Sequence, residues 1–193
     1  GDGYMARCVA EELEELIRGI SSGRERTIVA IDGRCAAGKT ALAAELRRRL
    51  GCTVFHMDDF FLRPMQRTAA RLSTPGGNVD YERFAEEVLL PLRQGGDVVY
   101  RPYRCATGRL GDAITVTPDR AVLVEGCYAC HPALRDNYDL RVMLTVAPEE
   151  QLRRLRLRDP QKAERFRQKW IPLEELYFAS CGGPEAYDWI GRI

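Results

Sequence analysis

No apolar run in this sequence approaches the ~20 residues that a membrane-spanning helix needs, and no basic start precedes an apolar stretch at the N-terminus, so the expectation is a cytoplasmic protein without a membrane role. An excess of one charge is missing as well, since 29 lysines and arginines face 28 aspartates and glutamates. A broad basic surface for nucleic acid is therefore not expected, and any positive patch must be local. The chain has no internal repeat, low-complexity tract or interdomain linker, and its 193 residues suit a single α/β domain. Asparagine occurs only at Asn78 and Asn137, followed by Val79 and Tyr138, so the Asn-Lys-x-Asp guanine reader of a GTPase is absent. The seven cysteines are an odd, scattered set, which argues for reduced thiols over a disulfide framework. Cys127-Tyr128-Ala129-Cys130-His131 has the spacing of a haem-attachment site. No second Cys-x-x-Cys or His pair completes a zinc site, so packing near a strand end is the expected role.

What is present alternates strand with helix. Val9, Leu13, Leu16, Ile17 and Ile20 recur at helical spacing and predict an amphipathic first helix ending near 21–23. Apolar, β-branched runs at 27–31, 53–57, 121–124 and 140–146 predict buried strands, and helices are expected over 39–50, from the cap Asp80 to about 92, and from Pro148. Residues 95–118 read as a small hairpin on the substrate side, residues 60–77 as a loop, and 162–179 as helical around an interruption at Pro172. The βαβ rhythm predicts a three-layer α/β fold with a mostly parallel, doubly wound sheet.

Gly33-Arg34-Cys35-Ala36-Ala37-Gly38-Lys39-Thr40 matches G-x-x-x-x-G-K-[ST] in full, directly after a strand and at the start of a helix. Glycines let the backbone turn successive N–H groups toward phosphate oxygens, and the helix N-terminus adds partial positive charge. Lys39 would bridge the β- and γ-phosphates of ATP, and Thr40 would offer Mg²⁺ a hydroxyl oxygen. Cys35 could be an activated thiol or a small filler. Glu125 ends a strand where a Walker B acid would hold Mg²⁺ directly or through water. Asp58 and Asp59 follow a strand end, where α/β sheets hold ligands, and either could be the base for an acceptor hydroxyl. Arg154 and Arg158 lie one turn apart in an arginine-rich helix, and an arginine lid over about 156–170 could close on the phosphates.

The combination of that loop with His56-Met57-Asp58-Asp59-Phe60-Phe61, Gly77-Asn78-Val79-Asp80 and Val124-Glu125-Gly126 resembles the uridine kinase family of P-loop kinases over nearly the whole chain. Tyr128, His131, Pro132 and Trp170-Ile171-Pro172-Leu173-Glu174-Glu175-Leu176-Tyr177-Phe178 resemble a bacterial uridine-kinase-like branch. The resemblance implies the doubly wound P-loop fold, with Asp58 activating the acceptor hydroxyl and contacting Mg²⁺. It also implies that Asp80 binds ribose, that Phe61 and Tyr100 lie beside the substrate, and that Arg158, or Arg154, is the lid arginine. The hairpin departs from the family, because 100–105 holds no histidine to read a pyrimidine. The Asp-Asp-Phe-Phe element is similar to nicotinamide riboside kinases too, in a superfamily that includes pantothenate kinase and phosphoribulokinase. The implied reaction is transfer of the γ-phosphate of MgATP to the 5′-hydroxyl of a nucleoside, uridine or cytidine first. Another small acceptor, or ATP binding without catalysis, is the alternative, and a homo-oligomer stays open.

Overall fold

Seven consecutive residues from Thr27 to Gly33 are buried, which requires a strand covered on both faces. A computed structural model, which describes residues 2–193, supplies that cover. The chain opens with α1 (Asp2–Ser21), β1 (Thr27–Gly33), α2 (Lys39–Leu50) and β2 (Thr53–His56). Residues 57–80 contain 3₁₀ turns at Met57–Phe60 and Pro64–Gln66 and a one-turn helix, α3 (Ala69–Leu72). Next come α4 (Tyr81–Phe84), a π-type turn at Ala85–Leu89, and α5 (Leu90–Gln94). In the off-sheet ribbon, β3 (Val98–Tyr100), β4 (Tyr103–Arg104), β5 (Arg109–Leu110) and β6 (Ile114–Val116) pair antiparallel, first with last and the middle two together. The chain returns through β7 (Ala121–Glu125), β8 (Leu140–Thr145), α6 (Pro148–Arg158), α7 (Pro160–Arg165), a second π-type turn at Phe166–Trp170, α8 (Ile171–Cys181) and β9 (Trp189–Arg192).

The main sheet has the order β2-β7-β1-β8-β9 with every pairing parallel. Side chains alternate across it. Ile28, Ala30, Val122 and Val124 join Phe84, Val88 and Tyr177 in one core layer, while Val29, Ile31 and Leu123 join Leu13 and Ile17 of α1 and Leu42 and Leu46 of α2 in the other. This is the expected three-layer α/β arrangement. Among the described residues, no helix is long and apolar enough to cross a membrane.

Two features differ from the sequence expectation. The helical tail is not interrupted at Pro172, which sits in the first turn of α8, and its irregularity is the π-type turn just upstream. Pro91 likewise follows a π-type turn. A proline offers no N–H to the carbonyl four residues earlier and crowds it, and a widened turn immediately upstream absorbs both effects. The second difference is β9, a short edge strand with no apolar run to announce it, paired with β8 from Val142↔Trp189 to Thr145↔Arg192.

Candidate active site

Parallel pairing brings three strand ends together. Glu125 is in register with Ile31 on one side and His56 on the other, so the loop after β1, the turn after β2 and the end of β7 share one edge of the sheet. Glycine permits the close approach. A Cβ on Gly126 would fall 2.6 Å from Met57 Cβ, and one on Gly33 would fall 2.4 Å from the Leu144 carbonyl oxygen. A cavity of about 320 Å³ opens there, lined on its floor by Gly38, Lys39, Thr40, Asp58 and Glu125. That volume lies at the small end of the ligand-pocket range.

The loop between β1 and α2 is tightly curled. Gly33, Ala36 and Gly38 all have positive φ, of 149°, 65° and 103°, a local curl of the kind that forms backbone anion nests. Gly38 is the residue that caps the start of α2, and Lys39 Nζ donates to the Arg34 carbonyl at 2.7 Å. Thr40 Oγ1 donates to Glu125 Oε1 at 3.3 Å, and His56 Nδ1 lies 2.5 Å from the same oxygen. The carboxylate raises the His56 pKa. Asp58 is exposed to the cleft, yet the surrounding walls still desolvate it; that desolvation and then the charge of Glu125 push its carboxyl above the usual range.

Residues of like chemistry that the sequence left as alternatives differ in position. Asp58 lines the cavity, whereas Asp59 does not, and its backbone carbonyl accepts from Arg83 at 2.9 Å. Arg158 lines the cavity, together with Phe166 and Trp170 of the lid segment. Arg154 sits outside it and donates to the carbonyls of Ala36 at 2.9 Å and Ile193 at 2.6 Å. Cys35 lines the cavity, and burial pushes its thiol up to about 11, away from an activated thiolate. Arg34 is drawn to α8, with Nη1 2.5 Å from Glu175 Oε1 and its guanidinium over the Phe178 ring. Ala37 is wholly buried.

On the acceptor side, Phe61 lines the cavity with its ring centroid 6.4 Å from that of Trp170. Asp80 and Tyr100 do not line it. Asp80 caps α4 through Arg83 N–H and accepts from Gln66 Nε2 at 3.0 Å, and Tyr100 stacks on Phe60 within the core. No periodicity or motif in the sequence marks Arg67. It lines the cavity, held by the Leu62 carbonyl at 3.2 Å and the Tyr103 hydroxyl at 3.0 Å, and among the described residues it forms no carboxylate ion pair. The Cys-x-x-Cys-His run is packed inside: Cys130 is wholly buried, and His131 stacks on Tyr81 at 4.0 Å.

The donor set suits MgATP. Thr40, Asp58 and Glu125 present oxygens in one recess, and Mg²⁺ takes oxygen ligands from one or two protein groups while keeping several waters and phosphate oxygens. Among the described residues no three His, Cys, Asp or Glu side chains form an all-protein cage, and such a mode of binding does not need one.

No protein-family model matches the chain. Solved structures do. One, described as a possible uridine kinase from Bacillus stearothermophilus, superposes with a TM-score of 0.75 at 20% identity, covering 96% of this chain and 98% of that one. D-glycerate 3-kinase from Cryptococcus neoformans var. grubii gives a TM-score of 0.62 at 12% identity, over 87% and 88% of the two chains. Phosphoribulokinase from Rhodobacter spheroides gives 0.59 at 16% identity, over 85% of this chain and 68% of that one. With superposition running over 85–96% of its residues, this protein has the fold of these kinase structures.

Proposed function

We propose that this protein transfers the γ-phosphate of MgATP to a hydroxyl of a small acceptor. One observation carries the reading: a complete phosphate loop opens into the same recess as Asp58 and Glu125, opposite a mixed aromatic and cationic wall. Phosphoryl transfer asks the protein mainly to position groups and offset charge. Loop amides and Lys39 receive the phosphates, with Arg158 available to neutralise the transferring group. Thr40 and Glu125 would hold Mg²⁺ with Asp58, and the ion would offset phosphate charge. Asp58, as a carboxylate, accepts the proton of the acceptor hydroxyl.

A nucleoside, uridine or cytidine first, is the acceptor that the motif resemblance favours. A second reading, an acceptor bearing carboxylate or phosphate such as pantothenate or a phosphosugar, has its own support. Asp80 is already engaged by Arg83 and Gln66, and Arg67 carries positive charge into the cleft without a carboxylate partner among the described residues. Coupled ADP release across nucleosides, pantothenate and phosphosugars tests both. In the active reaction, Asp58→Asn is expected to lower turnover by several orders of magnitude while MgATP still binds; near-normal turnover would remove Asp58 from its role. For an anionic acceptor, Arg67→Met should raise KM for the acceptor on the order of tenfold or more with KM for MgATP unchanged, as expected for loss of a charge-assisted contact. Turnover of uridine unaffected by Arg67→Met supports the nucleoside instead.

A further inference from the structure

Glu174 lies in the first turn of α8 at 4% exposure. Its Oε2 accepts the backbone N–H of Cys35 at 3.0 Å, and its Oε1 accepts Nε2 of Gln151 at 3.1 Å. Gln151, itself 2% exposed, also donates from Nε2 to the Cys35 carbonyl at 3.0 Å. Both main-chain groups of one phosphate-loop residue are thus tied to side chains from two separate helices. The next residue is the strained one. Ala36 has φ of 65°, a left-handed conformation that disfavours any side chain. Its carbonyl is held by Arg154. N–H and C=O of a trans peptide point in opposite directions, so tethering the Cys35 carbonyl to Gln151 turns the Ala36 N–H away from Gln151. Ala36 lines the cleft.

We propose that Glu174, working with Gln151, is a positioning residue that holds the phosphate loop in its phosphate-receiving shape through the backbone of Cys35. The inference rests on reading the cleft as the MgATP site. It does not place Glu174 on the reacting atoms. Burial holds the Glu174 carboxyl above the usual range, and an oxygen at the right distance matters more here than a full charge.

MgATP affinity by calorimetry, melting temperature and acceptor KM, measured on the full chain, test this. Glu174→Ala should weaken MgATP binding on the order of tenfold to a hundredfold, the range expected when a buried N–H loses its acceptor. Glu174→Asp keeps the charge but withdraws the oxygens by one methylene, and it should weaken binding similarly. Glu174→Gln keeps one acceptor oxygen for the Cys35 N–H while its NH2 faces the Gln151 amide, and it should recover part of the affinity lost in the aspartate variant, with acceptor KM unchanged throughout. An alanine variant that melts lower but binds MgATP as the wild type does would overturn the proposal. So would a glutamine variant that binds no better than the aspartate one, a comparison that decides the matter if the alanine variant does not fold. Wild-type protein with no MgATP affinity would overturn the reading of the cleft, and this inference with it.

Discussion

His131 illustrates how surroundings set the chemistry of a single side chain. Its ring stacks on Tyr81, its Nδ1 accepts the Ala133 N–H at 3.0 Å, and burial together with Arg71 and Arg135 holds its pKa down at about 4. The unfolded chain takes up that proton near ~6.5. Stability is therefore complete above that pH, falls as pH drops toward the folded value, and levels off below it. The upper bound is about 3.5 kcal/mol at about 1.4 kcal/mol per pH unit, reduced by solvent at the ring edge. Urea unfolding at pH 7 and pH 4.5 should show a smaller acid loss for His131→Gln than for the wild type; equal losses would assign the acid sensitivity elsewhere. The residue scale is also where the sequence was least decisive. Asp58 and Asp59 have the same chemistry, as do Arg154 and Arg158, and only the path of the backbone separates the member that faces the cleft from the one that does not.

At the scale of elements, α8 is the strut behind the phosphate loop. Asp32, fully buried before Gly33, accepts from the N–H groups of Gly33, Tyr128 and Cys130 and from the hydroxyls of Tyr177 at 2.7 Å and Tyr187 at 3.2 Å. The loop entry, the segment after β7, α8 and the approach to β9 thereby meet at one side chain. Burial pushes that carboxyl above the usual range, and the donors partly offset the effect. Tyr177→Phe removes one donor and should cost about 1–3 kcal/mol in thermal or urea unfolding; unchanged stability would mean that the other four donors suffice. The long apolar strands and the periodic helices were readable because each writes its burial into adjacent residues. The π-type turns and β9 were not. The first depend on a proline's missing donor several residues downstream, and the second is a four-residue edge strand whose partner, β8, lies more than 40 residues earlier.

For the whole molecule, ligand binding and stability are linked. A ligand that binds only the folded state stabilises it by about 2.7 kcal/mol at one hundred times its Kd, or roughly 5–10 °C in Tm for a chain of this size. MgATP should raise the Tm accordingly, and Lys39→Met should abolish most of that rise; the same rise in both proteins would remove Lys39 from phosphate binding. The sequence by itself determined the α/β class, the phosphate loop and the acids at the strand ends, because strand periodicity and the loop's glycine spacing are local properties carried by consecutive residues. Only the tertiary structure decided which acid and which arginine face the cleft, that Asp80 and Tyr100 lie outside it, and that Arg67, Trp170 and Glu174 belong beside it. Those placements arise from contacts between segments far apart in the chain, for which no local pattern exists.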